Sequence, residues 1–457
     1  MKTWKKYLHI AWIVILFVSC HQEFLDLKRD RKQVIPVHLR DYQAIVDNML
    51  MNTNIAFSIG DLGADDLFVA DEQFNLAPTM WERNAYLWKN DIFEQEQSLV
   101  WNAAYERILY ANLTLEGLEK LSTETAEKNH ADNIKGSALY FRAYTNFQLA
   151  QFFCNDYNQI SAEHDPGIPL KKTADLNEKV QRGTVAETYE HIITDLKQAL
   201  VLFNPSKEIH KNRPTKESTL ALLARVYLQM ENYENALRVA NELLQSNSKL
   251  MDYNSVNGSV FFPFTLYGED NPEHLIIDQS FSCALLNNSR MQISRELLSL
   301  YEEGDLRKTM FYIEDKGKIV YRGSYNGTRL FSGSPTISEV ILIRAESHAR
   351  LNNMDSSLKD LIYLLSHRYS TESPPSLEID NPEELLTRIL LERRKELAFR
   401  GLRWSDLRRL NKEPRFEKTL IRINNGEEFR LLPLDKRYTW PIPDNEMLLS
   451  GIEQNSR

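Results

Sequence analysis

The most regular alternation of apolar and polar positions lies in ALLARVYLQMENYENALRVANELL, Ala221 to Leu244. Leu223 and Ala224 precede Tyr227 by four and three residues, a polar break falls at Glu231 and Asn232, and Ala236 and Ala240 follow it. The pattern predicts two antiparallel helices in close approach. Small side chains at Ala224 and Ala236 let the helices cross tightly, while Tyr227 and Tyr233 fill the space beside them. On the second helix Tyr233, Leu237, Ala240 and Leu244 recur at intervals of three and four, which predicts one buried stripe.

The order large, small, aromatic, then small again in the partner helix is the tetratricopeptide template. It returns in ISEVILIRAESHARLNNMDSSLKDLIYLL, Ile337 to Leu365, with Ala345 in the place of Ala224, a turn at Asn352-Asn353, and Leu358, Leu361 and Leu365 as the second stripe. Ser357 stands where an alanine is expected. A third pair is split: Leu139, Ala143, Phe147 and Ala150 mark one helix, and Tyr189, Ile193, Leu196 and Leu200 the other. Between them, Asn155 to Gln181 contains DPGIPL, read as turn material. An earlier helix carries Trp101, Tyr105, Ile108 and Leu115, and the helical part begins near Asp41 to Asn52.

The helical period fades between Met251 and Ser334, where VNGSVFFPFTLYGED and YRGSYNGTRLF mix Gly, Pro and Asn with aromatic residues, and HLIIDQSF reads as a strand. Phe74 to Phe93, with Trp81, Tyr86 and Trp88, is a second irregular stretch. Long irregular segments in a compact chain tend to carry function. The predicted fold class is therefore mainly α: a tetratricopeptide-like scaffold bearing irregular, partly β, aromatic-rich insertions. One domain is expected over 41–457, with insertions near 62–95, 155–183 and 250–334.

The N-terminus follows different rules. Lys2, Lys5 and Lys6 precede a mostly apolar run from Tyr7 to Val18, then Ser19 and Cys20, the order of a secretory signal. About 12 apolar residues fall short of the roughly 20 that span a bilayer as a helix. Leu16, Phe17, Val18, Ser19 and Cys20 resemble a bacterial lipobox, which implies lipidation at Cys20 and a chain anchored to a membrane without crossing it. Residues 1–19 are then a lipoprotein signal peptide and 20–40 a lipidated tether. Of the two other cysteines, Cys154 and Cys283, the sequence leaves pairing open, and it has no CxxC signature.

Across 457 residues, 42% hydrophobic and 26% charged, the bulk is globular. Removing residues 1–19 lowers Lys+Arg from 55 to 52 against 64 Asp+Glu, a net charge of about −12 that disfavours nucleic acid and anionic lipid. No HExxH, nucleophile elbow, Walker loop or GxGxxG in a strand context is present, and ten histidines are scattered without ligand spacing, so no cofactor and no metal is expected. A glycosidase would need two carboxylates. Glu392 and Glu396 share a helix face, but Arg393, Arg394 and Lys395 would keep them ionised. Asp65-Asp66 and Glu302-Glu303 read as solvated surface pairs.

The C-terminal stretch ERRKELAFRGLRWSDLRRLN, Glu392 to Asn411, resembles the hallmark segment of the SusD/RagB lipoproteins of Bacteroidetes. The lipobox with Phe24-Leu25-Asp26, the Trp101 to Asn112 helix, LYFRAYTNFQLAQFF, RPTKESTLALLARVYLQMENYENA, IRAESHARLNN and PIPDNEMLLSGIEQN resemble further family blocks in order. Two departures stand out: Arg400 where the family usually has glutamate, and Leu402 where histidine is frequent. Within the hallmark, Arg393, Glu396, Arg400, Arg403 and Asp406 recur at helical or near-helical spacing as a charged network, with Leu397, Phe399, Trp404 and Leu407 supplying apolar contacts. The favoured reading is a structural lock on the C-terminal helix, with Arg393, Glu396, Arg403, Trp404 and Asp406 as its members.

The resemblance implies a non-catalytic, surface-exposed outer-membrane lipoprotein that captures an oligosaccharide and acts as a lid on a SusC-like TonB-dependent β-barrel transporter. An oligopeptide ligand with the same partner is the alternative, and a protein-protein scaffold of another class the third reading. Sugars stack their apolar faces on aromatic rings, so Trp81, Tyr86, Trp88, Phe264, Tyr267 and Tyr325 are the ligand-binding candidates.

Overall fold

A computed structural model describes residues 36–54, 57–121, 127–205, 210–280, 283–323 and 325–457. The signal peptide, Cys20 and most of the tether lie outside the described residues. Ten helices of eight residues or more are present among those described: α1 (Leu39–Val46), α2 (Leu99–Lys120), α3 (Lys128–Phe153), α4 (Val185–Leu202), α5 (Lys216–Gln229), α6 (Tyr233–Ser246), α7 (Ile337–Arg350), α8 (Met354–Ser366), α9 (Pro382–Glu396) and α10 (Arg403–Leu410). Side chains written into the sequence start them. Ser98 accepts from Trp101 N at α2, Thr184 and Glu187 form a reciprocal box at α4, Thr336 accepts from Glu339 N at α7, and Asn381 caps α9 just before Pro382.

The helices pair as their periodicity predicts. α3 lies between α2 and α4, α5 packs on α6, α7 on α8, and α6 and α7 join the two repeats. Every residue of α3 from Gly136 to Phe153 is buried, so this helix is covered on all sides and forms the central post. Ala224, Ala236, Ala240 and Ala345 are fully buried at the helix crossings. The α6 stripe is centred one position from the expected one: Ala236, Val239, Ala240, Leu243 and Leu244 are buried and Leu237 is half-buried, because α6 is covered by α7 as well as α5.

The two repeat turns are built alike. Glu231 and Asn352 take left-handed backbone (φ +57° and +60°), and the next residue, Asn232 or Asn353, caps the following helix. Ser357, in the alanine position, donates its hydroxyl to Ala345 O at 2.7 Å and so ties α8 to α7.

The insertions are more ordered than an irregular reading suggests. DPGIPL contributes a strand, Pro166–Pro169, paired irregularly with Arg182–Thr184. Its two prolines sit at the ends of a two-stranded ladder, where a missing N–H costs nothing. Short helices Asp71–Asn75 and Met80–Tyr86 occupy the Trp81 region. Within HLIIDQSF only Gln279–Ser280 is a strand, parallel to Thr53–Asn54. Leu67–Val69 pairs with Met291–Ile293, and Tyr312–Asp315 with Lys318–Tyr321. A hairpin, Leu420–Asn424 with Glu427–Leu431, follows α10.

The hallmark segment is two helices. Phe399 (φ +57°) and Gly401 (φ +70°) turn the chain between α9 and α10, so the charged residues do not lie along one continuous face. They pair across the break or with distant segments instead. Arg393 Nε lies 2.9 Å from Asp406 Oδ2, and Arg403 Nε 2.8 Å from Asp65 Oδ1. Glu396 receives Arg368 at 2.9 Å and Arg307 at 3.3 Å. Lys395 Nζ bonds Asp305 at 2.9 Å and Glu392 at 2.8 Å, and Arg368 also holds Glu273 at 2.8 Å. All these groups around Arg307 and Arg368 are inaccessible to solvent. Trp404 is buried, and the short helix Phe57–Gly63 lies flush against it: a Cβ at Gly63 would come within 2.8 Å of the indole.

Asp65 and Asp66 are not a solvated pair. Arg394 reaches both, at 3.0 and 2.7 Å, and Lys418 adds a contact to Asp65 at 2.6 Å. Burial by itself would raise the Asp65 carboxyl, but Arg403 and Arg394 hold it well below the usual range. Burial likewise opposes ionisation of Glu396, yet Arg368 and Arg307 pull it down to about 2. A carboxylate held there cannot act as a general acid near neutral pH.

Candidate functional site

The six aromatic candidates divide sharply. Trp81, Tyr86, Trp88, Phe264 and Tyr325 are between 0% and 6% exposed, whereas Tyr267 is 40% exposed. Trp88 donates its indole N–H to Gly63 O at 2.9 Å, and the Arg422 guanidinium lies 3.7 Å from the Tyr86 ring centre and 4.5 Å from that of Trp88. Tyr86 also accepts from Val69 N through its hydroxyl. Phe264 packs between Tyr253, Phe311 and Tyr325, and Tyr325 donates to Glu396. In these five the ring faces are already covered by protein. Tyr267 alone presents its ring to solvent, on left-handed backbone (φ +58°) fixed by its N–H to Asn326 O and by His274 Nδ1 against its carbonyl.

A separate cleft of about 160 Å³ is lined by Ser280, Cys283, Leu286, Asn287, Asn288, Arg329, Leu330 and Phe331. Its two walls are joined by Ser280 N, which donates to Phe331 O at 2.7 Å, and Asn288 Nδ2 donates to Tyr321 O, outside the cleft, at 2.6 Å. Phe331 is stacked on Phe399 and edge-on to Tyr321, which sets the floor rigidly above the hallmark turn. Arg329 is exposed and its guanidinium lies 4.7 Å from the Phe261 ring centre. Phe262 and Leu330, 42% and 40% exposed, extend the apolar rim. The Ser280 hydroxyl is buried and has no hydrogen-bond partner among the described residues.

Amides, a hydroxyl, a guanidinium and ring edges in one recess can recognise a polyol by hydrogen bonding and apolar contact; no nucleophile-base pair lines it. Cys283 is unsuited to that role, since burial and then the neighbouring Glu82 push its thiol well above the ordinary range. Cys154 and Cys283 are both free and buried. Among the described residues no cluster of His, Cys, Asp and Glu could hold a metal ion, and no helix is long and apolar enough to cross a membrane.

The cleft draws on residues that stand beside two of the aromatic candidates in the sequence: Arg329 and Phe331 follow Tyr325 within YNGTRLF, and Phe261, under Arg329, precedes Phe264 within VFFPF. On the opposite wall the paired Asn287-Asn288 is the sequence feature that stands out.

Two family models match the chain. The one described as "Starch-binding associating with outer membrane" covers residues 23–228, and the SusD family model covers residues 336–456. The chain belongs to the SusD/RagB family. Solved structures agree on its tetratricopeptide-like fold. A SusD superfamily protein from Bacteroides thetaiotaomicron is 21% identical, covering 92% of this chain and 100% of its own, with a TM-score of 0.74. A SusD-like carbohydrate binding protein from Bacteroides vulgatus is 20% identical over 90% and 96% of the two chains, with a TM-score of 0.67. A laminarin binding SusD-like protein is 17% identical over 91% and 97%, with a TM-score of 0.61. No curated protein sequence gives a significant match.

In this SusD/RagB chain both departures from the hallmark are structural. Arg400 is buried, donates to Ser334 O and lies 4.7 Å from the Tyr325 ring centre. Leu402 is buried in the core beside the α10 start.

Proposed function

We propose that the chain is a non-catalytic surface lipoprotein, anchored through Cys20, that captures an oligosaccharide and delivers it as a lid to a SusC-like TonB-dependent β-barrel transporter. The observation that carries the binding role is the recess lined by Ser280, Cys283, Leu286, Asn287 and Asn288 on one side and Arg329, Leu330 and Phe331 on the other, where two amides, the Ser280 hydroxyl and the exposed Arg329 meet apolar side chains. Membership of a family whose matching model is described as starch-binding and outer-membrane-associating supports both the sugar and the location. The carbohydrate-binding and laminarin-binding neighbours support the ligand class. The carboxylates that a hydrolase would need are locked in ion pairs, which supports binding without turnover.

The test is affinity purification of the intact tagged protein from gently solubilised membranes, with mass spectrometry of what accompanies it. A stoichiometric large β-barrel and an acylated Cys20 are the expected result. Recovery of the protein alone, or of a soluble partner complex from a Cys20→Ala variant with full function, would replace the transport role by a scaffold role. Release of reducing ends from any oligosaccharide would overturn the non-catalytic reading.

A further inference from the structure

Resting on the glycan-binding reading of the cleft, we infer that its ligand is an acidic oligosaccharide, one carrying a carboxylate or sulfate, seated against Arg329. The chain as a whole is acidic, with 64 Asp+Glu against 55 Lys+Arg. The cleft is not: Arg329 is the only charged side chain among the described residues that line it. Many guanidinium groups elsewhere in the molecule are engaged by carboxylates, as in the Arg307, Arg368 and Arg394 clusters, and others, such as Arg322 and Arg422, by backbone carbonyls. Arg329 forms no ion pair with a described residue. It is held instead over Phe261, a contact that fixes the plane of the guanidinium and leaves its N–H groups available.

Two further features favour an anion. The nearby carboxylate, Glu82, is 4% exposed and accepts from Leu285 N at 2.8 Å, so it is engaged behind the wall. In the recess lining the Ser280 hydroxyl, in a residue 7% exposed, has no partner among the described residues and can donate to a ligand oxygen. A guanidinium recognises carboxylate or sulfate through paired N–H donors, a geometry that a sugar hydroxyl does not match. At about 160 Å³ the recess is smaller than the roughly 300–1,000 Å³ that encloses a drug-sized ligand, so it grips one charged unit while the rest of the chain lies outside it, past the exposed Leu330.

The experiment is calorimetric titration of the full-length protein in detergent with uronate-containing and sulfated oligosaccharides. Each is paired with its carboxyl-reduced or desulfated counterpart, and peptide digests run alongside. The expected result is binding of an acidic member, weakening as salt rises, at least about tenfold tighter than its neutral twin, with that advantage abolished by Arg329→Gln. Because Arg329 is exposed, the variant should melt with the wild type. Phe261→Ala should reduce the same advantage by releasing the guanidinium. Neutral oligosaccharides binding as well as their acidic twins, or an Arg329→Gln variant unchanged toward both, would overturn the acidic preference and leave the glycan reading standing. Binding of peptides alone, or silence across the whole panel, would overturn the glycan reading itself.

Discussion

Asp61 and Glu396 are buried carboxylates pushed in opposite directions by what surrounds them. Around Asp61, burial and then the Asp66 charge raise the carboxyl well above its usual value, against the pull of the Gly401 N–H. A raised folded pKa contributes stability that is complete below the unfolded value of about 4 and is lost as pH climbs through the folded one. Asp61→Asn keeps an acceptor for Gly401 and removes the titration. It should match the wild type near pH 4 and exceed it in urea midpoint at pH 7 to 8. Glu396, Asp305 and Glu346 behave in reverse. Burial opposes their charge, but Arg368 and Arg307, Arg307 and Lys395, and Arg409 and Arg350 respectively hold them at about 2. Their contribution is present above about pH 4 and disappears as pH falls toward 2, so urea midpoints should drop steeply across that window. Within the same network, Arg307→Met strands Asp305, Glu392 and Glu396 without their shared cation. It should cost about 3–5 kcal/mol, and adding Glu396→Gln should cost less than the sum of the two. A single-variant loss below about 1 kcal/mol would show that the network does not hold the hallmark in place.

At the scale of elements, the matched turns make a sharper test than the helices. Asn232 and Asn353 each follow a left-handed residue and cap the second helix of a repeat, so Asn232→Ala and Asn353→Ala should each cost about 1 kcal/mol in chemical denaturation, and the costs should add. Gly63→Ala pushes a methyl into the Trp404 ring and should cost about 1–3 kcal/mol. These helices were legible in advance because a period of 3.6 marks each buried face and small residues mark each crossing. The pairing of Leu139 with the Tyr189 stripe was legible across its insertion for the same reason. The insertions were not, because an irregular backbone has no period. Nothing in VFFPFTLYG tells Phe264, sealed by Tyr253 and Phe311, from Phe262, which faces water. Nor could Asp65-Asp66 be read as buried, since the cations that compensate it, Arg394, Arg403 and Lys418, lie in another part of the chain.

At the scale of the whole molecule, the end of the chain fastens its middle. Asn455 donates to Phe153 O at 3.0 Å and Trp440 O at 2.7 Å and accepts from Arg182 at 2.7 Å, while Gln454 bonds both backbone groups of Ile442. Removing residues 454–457 should therefore lower the thermal midpoint by several degrees, read by circular dichroism, although no residue of the cleft is touched. The longest-range ties reach further. Asp61 waits for Gly401, 340 positions later, Asp65 for Arg403, 338 later, and Asp66 for Arg394, 328 later. A chain made from its N-terminus thus carries Asp61, Asp65 and Asp66 without these partners until nearly the last helix has emerged. High contact order of this kind slows folding. It also sets the moment of final closure: the acidic segment near residue 61 is locked only after the C-terminal arginines arrive.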